Sequence, residues 1–402
     1  MSNAATPRHD SYDVVIVGGA MLGSSIAWWL SQSADFQGRI LVVERDPSYQ
    51  FSSTAHTNSC IRQQFSTEIN IRISQFGAQF IREFRAFMGN GPDVPLITFQ
   101  TNGYMYLADN QNFAQKLRKN CETQNRLGAG TRILSPDEIL SRYPFYNLDG
   151  IILGSHNDRD EGYFDGNTIF DWWRRMAIRN GVEYIANEVV ALERKGAMIT
   201  SATLKTGEIV ALGTVVNASG PRASRTAAMA GLDLPVEPRK RYTYIFDAAQ
   251  PLDRDLPLTI DPCGVHMRSE GRLYLAGSPP KGADPGVEPD DFVMDHTQWE
   301  DHVWPALANR VPAFEAVKLV NTWVGHYAYN RVDQNAIVGP HPEVANFIFA
   351  NGFSGHGFQQ SPAVGRGVAE WIAAGEFRSL DLSPLGYGRL VSGQGLREEA
   401  VI

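Results

Sequence analysis

Cysteine is scarce in this sequence and forms no pattern. Cys60, Cys121 and Cys263 stand 61 and 142 residues apart, so there is no Cys-x-x-Cys spacing for zinc and no disulfide framework. A reducing compartment fits. Excess positive charge is also missing: 36 Lys and Arg against 44 Asp and Glu leave a net charge of −8. That balance disfavours nucleic acid or an anionic membrane surface as the main partner, since both attract basic patches. Internal repeats, low-complexity tracts and charge runs are lacking. The first eleven residues are polar, without the apolar stretch of a secretory signal. The early apolar run over residues 13–30 is interrupted by Gly18, Gly19 and Gly23 and carries Ser24 and Ser25, which suits a strand, turn and helix better than a membrane span. The expectation is a cytoplasmic protein with no membrane span and no metal site.

What is present is an ordinary globular composition. With 402 residues, 43% hydrophobic and 20% charged, the chain has material for two to three domain-sized units and a large core. The β-branched run over 13–17 predicts a buried parallel strand, followed by a helix over 24–33 and a second strand over 39–43 that ends at Glu44. Such a βαβ unit demands a right-handed crossover. Phe76, Phe80, Phe84 and Phe87 predict the core face of a helix over 72–87. Asn102-Gly103 predicts a hairpin over 98–107, Ser135-Pro-Asp-Glu138 a capped helix start, and Gly181 the end of a helix over 167–180. A strand over 208–220 runs into a turn at Val215-Val-Asn-Ala-Ser-Gly220. Residues 251–295 shift to Pro, Asp and Gly with short strands, at 265–268 and 272–276. A last strand over 346–350 meets a glycine-rich turn and a helix over 363–374.

Gly18-Gly-Ala-Met-Leu-Gly23 opens the first helix, and Glu44 lies 21 residues past Gly23. That arrangement offers backbone N–H groups and a helix N-terminus to a pyrophosphate, with a carboxylate for a ribose diol. Glu44 would repel a 2′-phosphate, which argues against NADP. Ala20 replaces the usual middle glycine. The pattern predicts a dinucleotide and leaves NAD and FAD both open.

Three further segments resemble the D-amino acid oxidase/sarcosine oxidase family of glycine oxidase-like FAD enzymes. They are Val215-Val-Asn-Ala-Ser-Gly-Pro221, the stretch from Phe349-Ala-Asn-Gly-Phe-Ser-Gly-His-Gly357 through Glu370, and Ser52-Ser-Thr-Ala-His56 with Cys60-Ile-Arg-Gln-Gln-Phe65. Ile61-Arg-Gln-Gln-Phe-Ser66, Asp333-Gln-Asn335, Val338-Gly-Pro-His-Pro342 and Asp381-Leu-Ser-Pro384 are most similar to the branch of FAD-dependent oxidoreductase domain proteins linked to respiratory complex I assembly. The resemblance implies an α/β fold: a Rossmann-like FAD-binding domain of interleaved segments (11–97, 152–230 and 325–390) and a second α+β substrate domain (98–151 and 231–324) on a mostly antiparallel sheet, with tails at 1–10 and 391–402.

It implies site residues too. Gly18, Gly19, Ala20, Met21 and Gly23 approach the pyrophosphate, Glu44 and Arg45 the ribose side, and Ser53 and Thr54 the phosphate oxygens. Val189 meets the adenine through its backbone and Gly220 marks a turn beside FAD. Gly352, Ser354, Gly355, His356 and Gly357 face the flavin's pyrimidine side, where N–H groups and a helix dipole would stabilise charge on the reduced ring. His56 sits in a Ser-Thr-x-His stretch like the one carrying covalent flavin in dimethylglycine and sarcosine dehydrogenases; noncovalent FAD is the preferred reading and a covalent link through His56 the alternative. Arg62 matches the family's carboxylate-binding arginine, which would hold an acid bidentately and orient its α-carbon. Gln359 stands where the family has a second, cationic anchor. His326 and Tyr327 match a substrate-side wall, and His266 would face the flavin from a strand.

The implied reaction is oxidation of the C–N bond of a secondary or tertiary amine, an N-alkyl amino acid, by hydride transfer to flavin N5 and imine hydrolysis. Without a lysine in Leu273-Tyr-Leu-Ala276 or at Gln359, a dehydrogenase passing electrons to an acceptor protein or quinone is favoured over an oxidase. A flavin-containing assembly protein and an NAD-dependent dehydrogenase are the alternatives.

Overall fold

The computed structural model describes residues 5–399. The chain forms two compact units, the first from residues up to 57, 165–238 and 326–398, the second from residues 58–164 and 239–325 with residue 399 onward. Residues 58–97 group with the second unit.

The first unit is built on a parallel core. Strand β1 (Ser11–Val17) lies between β2 (Ile40–Glu44) and the strand Ile209–Asn217; Glu183–Ala186 extends the sheet beyond β2, and Phe347–Asn351 pairs with the far end of Ile209–Asn217. Both faces of these strands are covered, which is why they read as unbroken apolar runs rather than alternating ones. Helix α1 (Met21–Ser31) begins three residues before the expected start, directly at the glycine turn. It packs against Gly166–Arg179, where Trp28 stacks on Trp173 with ring centres 6.2 Å apart, and against the C-terminal helix Gly357–Ala374.

That last helix starts six residues before the sequence predicts, with Pro362 inside it. Proline has no N–H for the carbonyl of Phe358, and such a gap normally breaks a helix. Here the Ser361 hydroxyl donates to Phe358 O at 2.7 Å, so the carbonyl keeps a donor and the helix continues. The helix meets α1 at Gly365, where a Cβ would lie 2.0 Å from Ser25 Oγ; that hydroxyl donates to Ser361 O at 2.8 Å. Small residues let the two backbones touch.

In the second unit a large, mostly antiparallel sheet joins Tyr104–Ala108, Leu153–Asn157, Leu258–Ile260, His266–Glu270 and Leu273–Ser278; among these five strands Leu258–Ile260 pairs in parallel with Tyr104–Ala108 and the other pairs are antiparallel. The expected hairpin over 98–107 is absent. Phe99–Gln100 pairs with Gly162–Phe164 in a three-stranded sheet, whereas Tyr104–Ala108 belongs to the large one. Gly103, at φ +88°, turns the chain from one sheet to the other, and a Cβ there would sit 2.7 Å from Asn157 O. The phenylalanine stripe is real but spans two helices, Glu68–Arg82 and Phe84–Phe87, with Phe80 and Phe84 buried. Ser135 caps Pro136–Arg142 through a full capping box with Glu138.

Gly365→Ala should destabilise the protein by about 1–3 kcal/mol, since neither helix can retreat from the contact. Combining it with Ser25→Gly should restore part of the loss; urea unfolding midpoints of wild type, single and double variants decide this, and an unchanged midpoint for Gly365→Ala would refute it.

Candidate functional site

The register of the parallel strands gathers the glycine turns of the first unit. Val17 lies level with Val43 and Asn217, Glu44 with Ala186, and Asn217 with Phe349. Gly18–Gly23, Glu44, Val189, Gly220 and Gly352–Gly357 therefore all follow the carboxyl ends of adjacent strands, the place where open parallel sheets bind ligands. Gly18 has φ +99°, and a Cβ on it would lie 2.5 Å from Ala218 O, so only glycine fits. A Cβ on Gly23 would lie 1.9 Å from Gly18 O. Ala20, by contrast, has φ −72°, which any residue adopts, and its methyl group is accommodated.

Two helices open at this edge without a cap from the side chain that precedes them. Neither Ala20, before α1, nor His356, before the C-terminal helix, makes a capping side-chain bond, and neither first turn carries an acid. The Thr54 hydroxyl accepts from Met21 N at 3.3 Å, which ties the 52–56 loop to α1. Ser53 Oγ donates to the carbonyl of His326 at 2.7 Å, and His56 Nδ1 lies 3.1 Å from Ser52 O. Donation from Nδ1 leaves the lone pair on Nε2. Glu44 accepts from Gly19 N and Asp46 N, both at 2.8 Å, while burial pushes its pKa up. Arg45 points outward and pairs with Glu188 at 3.7 Å. Val189 opens a strand at a bulge. Gly352, Ser354 and Gly355 all have positive φ, and a Cβ on Gly355 would lie 2.4 Å from the Tyr327 ring, so that ring rests on the turn's backbone. Gln359 is buried in the first turns of the helix that follows.

Arg62 and His266 lie in the second unit. Arg62 is only 3% exposed. Its guanidinium sits 4.4 Å over the Phe65 ring, with Tyr104 and Tyr106 at 5.9 and 6.0 Å, and its Nε donates to Gln64 O at 3.3 Å. His266 Nε2 is 3.1 Å from Asn58 Nδ2, so the amide donates and the ring is neutral with its proton on Nδ1. Burial, then the charges of Arg268, Arg241 and Arg62, lower its pKa to about 4. A Cβ on Gly277, across the sheet, would collide with this ring at 2.4 Å.

Sequence reasoning missed three members of this cluster. Arg268 donates to Asn58 O at 3.0 Å and lies 3.9 Å over the Tyr163 ring. Arg241 grips Asp284 with two bonds of 3.0 Å. Glu161, fully buried, accepts from Gln63 N, Gln64 Nε2 and Asn157 Nδ2. Within Asn157-Asp-Arg-Asp-Glu161 nothing sets the last acid apart, except that Gly162 follows, where a Cβ would lie 1.9 Å from Gln100 O. No group of acids, histidines and cysteines among the described residues could hold a metal ion.

The sequence profile of the FAD dependent oxidoreductase (DAO) family matches residues 13–371. The chain belongs to that family. FAD-dependent oxidoreductase domain-containing protein 1 of Xenopus laevis is 39% identical to it over 97% of this chain and 85% of its own length. Mitochondrial dimethylglycine dehydrogenase of Mus musculus is 26% identical over 98% of this chain and 46% of its own. The crystal structure of L-proline dehydrogenase from P. horikoshii superposes with a TM-score of 0.83 at 26% identity, covering 96% of this chain and all of that one.

The cofactor of an oxidoreductase of this family is FAD, which sets aside the NAD alternative. The first unit fits it. The tight turn at Gly18 and Gly23 brings backbone close to the sheet edge, the helix N-termini at Met21 and Gly357 carry no acid in their first turns and suit an anionic group, and Glu44 supplies an acceptor at the neighbouring strand end. Among the described residues no helix is long and apolar enough to cross a membrane.

His266 and His156 both have pKa values lowered to about 4 by burial. The unfolded chain binds protons at these residues below about pH 6.5 and the folded chain does not, so stability should fall as pH drops from 6.5 toward 4. His266→Gln should flatten that fall by up to one proton's slope, read as urea midpoints against pH. Parallel curves for variant and wild type would contradict the assignment.

Proposed function

We propose that this flavoprotein oxidises the C–N bond of an N-alkyl or cyclic secondary amino acid, releasing an imine that water hydrolyses. The observation that carries the reading is Arg62, a cation buried among three aromatic rings and matching the family's carboxylate anchor. Relatives named for dimethylglycine, sarcosine and proline support an amino acid of this kind.

Bound FAD supplies a two-electron hydride acceptor. In this reading Gly18–Gly23 and Thr54 hold the pyrophosphate, Glu44 the ribose, and the turn Gly352–Gly357 the pyrimidine edge of the flavin. His56 lines the same loop with FAD held noncovalently. Arg62 binds the substrate carboxylate through its planar fork, and the aromatic wall keeps the guanidinium poorly hydrated, so an incoming acid displaces little water. Depressed by burial, His266 is neutral at physiological pH and adds no charge. The amine must lose its proton before oxidation; at pH 7 that costs about 4 kcal/mol for a pKa near 10, and apolar surroundings supply part of it without a dedicated base.

The test is an anaerobic titration with sarcosine, dimethylglycine and proline, each beside the amine lacking its carboxylate: dimethylamine, trimethylamine and pyrrolidine. Flavin bleaching by at least one acid, and a preference for it over its amine, is expected. Arg62→Ala should lower kcat/KM for the acid about tenfold to a hundredfold with FAD content unchanged, and Arg62→Lys should recover only part. An acid preference that survives Arg62→Ala defeats the assignment; a flavin that no amine bleaches favours the assembly-protein reading.

A dehydrogenase rather than an oxidase follows from the missing lysines. Lys281, the lysine nearest the strand Leu273–Ser278 in sequence, is exposed and directs its Nζ to Asp301 O at 3.1 Å. Reduced enzyme should therefore reoxidise far faster with an artificial dye or a quinone than with air. Peroxide release matching dye reduction would overturn this.

A further inference from the structure

Glu161 has no role in the reaction derived above, yet it is the most deeply buried acid beside Arg62. Its burial is costly: despite three N–H donors and the charge of Arg62, its pKa is pushed up to about 8. The amide orientations around it are set independently. Asn157 Oδ1 accepts from Arg159 N at 2.9 Å, so its Nδ2 faces Glu161; Gln64 Nε2 also donates to Tyr104 O at 3.3 Å, which sets that amide with its NH2 toward Glu161. Every neighbour presents a donor, so the three bonds favour the charged carboxylate against the burial that raises its pKa.

Two of those donors belong to the residues directly after Arg62. Glu161 Oε1 takes the main-chain N–H of Gln63 at 2.8 Å, and Oε2 takes the side chain of Gln64 at 2.9 Å. The same turn is tightened by Phe65 N donating to Gln63 O at 2.8 Å, and Gln64 O receives the Nε of Arg62. Packing does not hold this segment from every side, because a cavity of about 190 Å³ opens against Gln64, Tyr106 and Ser155. Hydrogen bonds must do what packing leaves undone.

We propose that Glu161 is a positioning residue: by gripping Gln63 and Gln64 it holds the turn that aims the Arg62 guanidinium. The inference rests on Arg62 as the carboxylate anchor for its kinetic consequence, but not for its geometric one.

Glu161→Gln keeps the shape and sets one N–H against another. In the FAD-loaded enzyme it should raise KM for the acid identified above, lowering kcat/KM tenfold or more, while kcat/KM for the amine without carboxylate and the FAD content change less than twofold. Added to Arg62→Ala, it should cost nothing further, since both act through one group. A crystal structure of Glu161→Gln should show the guanidinium displaced from the Phe65 ring. Gln64→Met removes one of the three donors and should give the same split in smaller measure, which keeps the test open if Glu161→Gln does not fold. The proposal fails if acid and amine lose activity equally, or if the guanidinium stays over Phe65. Should Arg62→Ala leave acid preference intact while Glu161→Gln displaces the guanidinium, the positioning stands and the substrate reading falls.

Discussion

Everything in the first unit depends on the contact between α1 and the C-terminal helix. Ser25 donates to Ser361 O, and Gly365 leaves room for it. Because the two backbones meet there, the helices that follow β1 and Phe347–Asn351 pack side by side and both open at the same sheet edge. The strand register then sets Gly18, Glu44, Gly220 and Gly352 at one sheet edge. A larger residue at the contact would part the helices and, with them, the two rows of N–H donors.

The first unit was readable because its chemistry is local. Gly18 needs a positive φ and Gly23 a missing Cβ, and both demands show in a six-residue string. Glu44 follows at the end of the next strand. The sequence predicts the helix over 357–374 six residues short because Pro362 signals a break, which the neighbouring Ser361 hydroxyl offsets by donating to the Phe358 carbonyl. The hairpin at Asn102-Gly103 failed for a related reason: the dipeptide marks a turn correctly but cannot say that the strands on either side join different sheets.

The second unit hid its chemistry because no stretch of sequence contains it. Arg62 was legible through resemblance alone, whereas Arg241, Arg268 and Glu161 meet it or His266 only after three distant strands and a loop come together. Charge placement there is economical. Arg241 and Arg268 are paired with Asp284 and Glu270, and His266 is held neutral. A buried carboxylate that answers three donors is the least visible of these features in a linear reading, since an acid in a loop ordinarily faces water.

The pairing of α1 with Gly357–Ala374 has a consequence for biogenesis. While the ribosome is still making residues 200–300, α1 has no C-terminal helix to pack on, and Ile209–Asn217 has no Phe347–Asn351 to pair with. Contacts separated by more than three hundred residues close slowly and late. The nascent flavin unit therefore waits, with its apolar strands incomplete, until Phe347–Asn351 and Gly357–Ala374 have emerged. The sheet edge that carries the glycine turns is complete only then, and until that point its apolar strands are exposed to misassociation.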